Sequence, residues 1–132
     1  MASSAESTYK SQATAISNGI GSIHREHYGR GPDRIRTAIN SDFVLTTLED
    51  CFTVVEKKMI SEGEFLKVRE TRILFQDWMR PTFTEIVESA TGREVRAFFS
   101  QVGHDPDFAV ELFLLEPSSD GHKEVSRAPS TD

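Results

Sequence analysis

A chain of 132 residues, 27% charged and 37% hydrophobic, is long enough to bury one domain core without the help of a metal or a disulfide. Its net charge of -6 and pI near 5.2 exclude a general affinity for nucleic acid or for anionic membranes. Cys51 is the single cysteine and has no internal disulfide partner, and the N-terminus MASSAESTYKSQ carries no charged-then-apolar signal, so a cytoplasmic protein is expected. The most apolar stretch, Phe108 to Leu115, is interrupted by Glu111 and is far shorter than the roughly 20 residues that span a bilayer. No direct membrane insertion is expected.

Residues 1–7 are rich in Ser and Ala, and residues 117–132, PSSDGHKEVSRAPSTD, lack any apolar period; both ends are expected to be disordered around one folded domain, 8–116. Ala13, Ile16, Ile20, Ile23 and His27 recur at helical spacing and predict an amphipathic helix that stops at Gly29. After Pro32 the period becomes two. Ile35, Thr37 and Ile39 alternate with Arg34, Arg36 and Ala38, and NSD then turns the chain into FVLTTLE, which predicts a hairpin. Thr53 and Glu56 form a capping box that opens a short helix to about Ile60. Ser61 and Glu64 repeat the box, and Phe65, Val68, Phe75, Met79, Phe83 and Ile86 carry an apolar stripe through a long segment that ends at Gly92. Pro81 removes a backbone donor inside that segment and predicts a kink or break near Met79 to Thr82. A second hairpin follows: Val95, Ala97 and Phe99 alternate with Arg96, Phe98 and Ser100, then Phe108, Val110, Leu112 and Leu114 alternate with Ala109, Glu111, Phe113 and Leu115.

The order α-β-β-α-α-β-β predicts an α+β fold, a two-layer sandwich with a four-stranded antiparallel sheet and the helices packed on one side. The last strand is apolar on both faces apart from Glu111, so the face without helices needs another cover. A homodimer is expected, with Phe113 placed at the contact.

Three groups of side chains invite a chemical reading. His104, Asp105 and Asp107 of the VGHDPD turn are of metal-ligand type, yet the same residues are what a hairpin turn favours, and the turn is the better explanation. Arg30, Arg34 and Arg36 gather at the GRGP loop as a candidate anion-binding group; against this, the loop leaves a helix C-terminus, whose partial charge repels anions. Arg72 lies close to an apolar helix stripe and Glu111 stands alone in an apolar strand, so either the two pair or each side chain reaches water along its own stem. The chain has no nucleophile elbow, HExxH or CxxC, and the acids beside Cys51 raise a thiol pKa; neither enzymatic activity nor a cofactor is expected.

Taken in order, ISN at Ile16 to Asn18, YGRGP at Tyr28 to Pro32, the Thr53-x-x-Glu56 box, VRETR at Val68 to Arg72, TGR at Thr91 to Arg93 and DPD followed by VELFLLE resemble the MpsC-like family of small bacterial proteins. The resemblance covers about Ile16 to Glu116. It implies an accessory of a sodium-translocating, membrane-potential-generating system whose integral membrane subunits are tied to inorganic-carbon supply, and it transfers no catalytic residue. The expected function is that of a non-enzymatic accessory or regulatory protein that binds a membrane transport partner and itself. The alternative is a small-anion or metabolite sensor using the Arg-rich loop.

Overall fold

The computed structural model describes residues 4–118. Helix α1 (Ser4–Tyr28) leads into strands β1 (Arg34–Ile39) and β2 (Phe43–Glu49), helices α2 (Val54–Ser61) and α3 (Phe65–Thr91), and strands β3 (Val95–His104) and β4 (Asp107–Leu115). This is the expected α+β order, with an antiparallel sheet whose strands run β1-β2-β4-β3. Helix α1 already begins at Ser4, inside the N-terminal segment expected to be loose. Of the expected tail, residues 119–132 lie outside the described residues.

Local chemistry accounts for most of the element ends. Gly29 and Gly92 take the left-handed conformation, at φ 79° and 71°, where a side chain would be strained, and each follows directly on a helix. The Thr53 hydroxyl accepts from the Glu56 amide and the Glu56 carboxylate from the Thr53 amide, so the predicted box opens α2. The second box does not form. Ser61 is the last residue of α2 and its hydroxyl donates to the Lys58 carbonyl, while Glu64 caps α3 with no side-chain hydrogen bond. Pro81 does not break α3, which runs through it. The proline lies on the exposed side of the helix, where water can solvate the carbonyl deprived of its donor, and Gln76 and Phe83 on either side of it are buried.

The sheet faces follow from register. On the helix-covered face, Ile39, Val44, Phe113 and Phe98 form one row across the strands, and Ile35, Leu48, Ala109 and Val102 form another. Both rows pack on Ile16 and Ile20 of α1 and on Val68, Phe83 and Val87 of α3. The third residue in the α1 line is His24, buried, and not His27, which points outward. A register shift between Val95 and Ala97 reverses the expected parity of β3. Val95 stays with the core, whereas Ala97 and Phe99 turn outward and Phe98 turns inward.

Among the described residues no helix covers the opposite face of the sheet. Its central row is Ala38, Leu45, Leu112 and Phe99, beside Phe43, Leu114 and Ala97, and Phe99 is 57% exposed. Phe113, expected at a contact between copies, is instead in the core; Leu112 occupies the outer position.

Candidate functional site

Between the two apolar rows of the inner face runs a polar one. Thr37 of β1 stands opposite Thr46 of β2, Thr46 opposite Glu111 of β4, and Glu111 opposite Ser100 of β3. Ser17 of α1 joins it: Ser17 Oγ lies 2.8 Å from Thr37 Oγ1, which lies 2.9 Å from Thr46 Oγ1. Helix α3 covers the row with Arg72 and Gln76, one turn apart, and α1 contributes His24 and Tyr28. The core is thus divided by a layer of buried polar groups.

Arg72 is 1% exposed, and its charge is met by α2. Its Nε donates to Glu56 Oε2 at 2.8 Å and its Nη2 to Glu56 Oε1, while Nη2 also reaches the Cys51 carbonyl at 2.9 Å. The guanidinium lies 3.8 Å from the centre of the Tyr28 ring. Burial alone would raise the Glu56 pKa, but the Arg72 hydrogen bonds and the Thr53 backbone outweigh it and hold it below the ordinary value. The capping-box glutamate therefore also serves as the counter-ion of a core arginine. The candidate Arg72–Glu111 pair is not made: Nε and Nη2 of Arg72 are engaged by Glu56, and the remaining Nη1 makes no hydrogen bond to Glu111.

Glu111 is fully buried, and among the described residues neither of its carboxyl oxygens finds a hydrogen-bond partner. Gln76 and Ser100 flank it closely enough to influence its titration without bonding it in good geometry. Burial, offset in part by Arg72, pushes its pKa up to about 8. Tyr28 Oη, Arg72 Nη1 and Gln76 Oε1 are likewise buried and unpartnered. Burial also lowers His24 to about 4, so its ring is neutral, with Nδ1 3.0 Å from the Ile20 carbonyl. Cys51 is pushed up to about 12 by burial and is a poor nucleophile.

The other predicted groups are engaged elsewhere. Arg30 Nη1 donates to the Asp50 and Phe52 carbonyls, both at 2.8 Å, and Nη2 reaches Asp33 and Asp50, so this side chain clamps together the segments that enter and leave the first hairpin. Arg34 and Arg36 project from the outer face of edge strand β1. In the β3–β4 turn, Asp105 and Pro106 are joined by a cis peptide bond, and the His104 ring packs 4.3 Å from that of Phe65. Asp107 turns inward and accepts from the Cys51 and Phe52 amides at 3.0 and 3.2 Å, tying the turn to the segment before α2. No group of three His, Cys, Asp or Glu suited to a metal occurs among the described residues. Sequence reading singled out Glu111 and Arg72 but missed Thr37, Thr46, Ser100 and Gln76. The available signal was a polar residue at the inward parity of every strand.

Fold and interior define a small α+β domain built around a buried polar layer, with one apolar sheet face left open by the described residues. Over residues 8–117 the chain matches the family described as Na+-translocating membrane potential-generating system (MpsC), and it belongs to that family. It is 25% identical over 108 residues to the uncharacterized protein YrhF of Bacillus subtilis (strain 168), covering 80% of this chain and 88% of that one. No solved structure matches. Among the described residues no helix is long and apolar enough to cross a membrane.

Proposed function

We propose that this protein is a non-enzymatic, cytoplasmic accessory subunit that works by docking: it pairs with a second copy through the open sheet face and presents its helical side to a membrane transport system, one for ions or inorganic carbon. The observation that carries this reading is the apolar outer face. Phe43, Leu45, Ala97, Phe99, Leu112 and Leu114 form a continuous patch across the strands, and the charges on that face, Arg34, Arg36 and Glu49, gather toward one end of it. An apolar centre with a polar border is the anatomy of a protein interface. Two such sheets stack face to face at about 10 Å, and a two-fold axis buries the same surface from each copy.

The family description, which names a Na+-translocating membrane system, supports a membrane partner. The helical side offers Leu66, Ile73, Leu74 and Trp78 of α3, with Trp78 72% exposed. A large aromatic standing in solvent is the residue type that most often anchors a partner. The anion-sensor alternative loses Arg30, whose donors are already used by the protein. Photo-crosslinking in the native cell tests the reading: a crosslinking residue at Leu112 is expected to give a homodimer, and one at Trp78 a product with an integral membrane protein. Homodimer from neither position and only soluble products from Trp78 would overturn it.

A further inference from the structure

An open cleft of about 470 Å³ lies between α1 and β1, lined by Lys10, Thr14, Ser17, Asn18, Arg36 and Thr37 among others. Two of its lining hydroxyls, Ser17 and Thr37, begin the hydrogen-bonded line that continues to Thr46. The neighbour of Thr46 on the next strand is Glu111. A hydrogen-bonded line therefore leads from the surface to Thr46, whose neighbour Glu111 is not directly bonded to it, and each hydroxyl along the line can both donate and accept.

The inner end of the track is under-bonded. Both Glu111 oxygens, Gln76 Oε1, Arg72 Nη1 and Tyr28 Oη are buried and have no hydrogen-bond partner among the described residues. Buried polar atoms in such numbers are normally satisfied by internal water, which needs several polar partners to be held. Donors and acceptors are both present here, as water requires. We propose that Glu111, Gln76 and Arg72 Nη1 form an interior, water-filled proton-binding site, reached from the cleft through Ser17, Thr37 and Thr46.

The charged and titratable groups around it are consistent with a bound proton at neutral pH. From α3, Arg72 favours the ionised form, but its charge is matched by Glu56 of α2. From α1, burial keeps His24 a neutral imidazole and Tyr28 a neutral phenol, so neither carries a charge. The flanking strands present only the hydroxyls of Thr46 and Ser100. Desolvation thus dominates and keeps the carboxyl protonated up to about pH 8.

The test uses the full chain with glutamate labelled at its carboxyl carbon. The Glu111 resonance, assigned by its loss in Glu111→Gln, is expected to titrate with a midpoint near 8. At neutral pH the infrared spectrum should show a protonated carboxyl band that is absent from the same variant. On mixing into heavy water, the isotope shift of that band should be slowed about fivefold in Thr37→Val, the factor for one hydrogen bond lost from the path. A midpoint in the ordinary carboxylate range overturns the site. An unchanged exchange rate in folded Thr37→Val overturns the route, and Ser17→Ala tests the same route should Thr37→Val fail to fold.

Discussion

Replacing Glu111 with Gln keeps the size and shape of the side chain and removes its proton chemistry, so it isolates the contribution of that carboxyl to stability. In the folded protein Glu111 titrates near 8 and in the unfolded chain near 4.5. Between these values the folded state holds a proton that the unfolded state has released, and stability falls as pH rises, by about 1.4 kcal/mol per pH unit. His24 acts in the opposite sense: lowered from 6.5 to about 4, it makes stability rise with pH over that lower window. From 4.5 to 6.5 the two slopes offset each other, and from 6.5 to 8 Glu111 acts alone. The loss across that upper window is about 2 kcal/mol, or roughly 8 °C in melting temperature for a domain of this size. Thermal melts at closely spaced pH values measure it. The unmodified protein should be level and then decline, whereas Glu111→Gln should rise to about 6.5 and then stay level. A flat upper window in the unmodified protein, or the same decline in the variant, would refute the reasoning.

Three further outcomes are expected. Glu56→Gln leaves the buried Arg72 guanidinium without its counter-charge and should cost about 3–5 kcal/mol by urea denaturation; a loss under about 1 kcal/mol would show that the pair is dispensable. Gly19→Ala and Gly21→Ala should part company, although each gains up to about 1 kcal/mol of helix propensity. A Cβ at Gly19 would stand 2.9 Å from the stiff Ile86 side chain and cost about 1–3 kcal/mol, for a net loss, while one at Gly21 meets only the flexible end of Arg25 and should stabilise; equal effects would contradict the close α1–α3 approach. His104→Ser with Asp105→Asn should leave the melting temperature nearly unchanged, since the turn chemistry survives, and metal analysis of both proteins should agree.

The fold was legible where the signal was local. Two hairpins, the Thr53 box and the stops at Gly29 and Gly92 all follow from residues within a few positions of one another. What escaped depended on distant contacts or on a single-residue shift. The β3 irregularity next to Val95 moved Phe99 to the outside, and an alternation of period two cannot reveal it. Pairing of β2 with β4 aligned Thr46 with Glu111, residues that sequence distance keeps apart, and so created a polar row no motif could announce. The sequence leaves Arg72 either paired with Glu111 or reaching water, whereas its partner comes from the capping box of another helix. Pro81 was read from its local cost alone, whereas packing on both sides of it carries the helix through.

Docking through the open sheet face is tested most directly by light scattering of the purified chain at micromolar concentration. The unmodified protein should scatter as a particle of twice 14.8 kDa. Leu112→Glu, which places a charge on the outer face, should be a folded monomer, and Lys58→Glu on α2 should leave the mass unchanged. Phe113→Glu should instead unfold the chain, because that side chain points into the core. A monodisperse monomer for the unmodified protein, or a dimer that survives Leu112→Glu, would contradict the account.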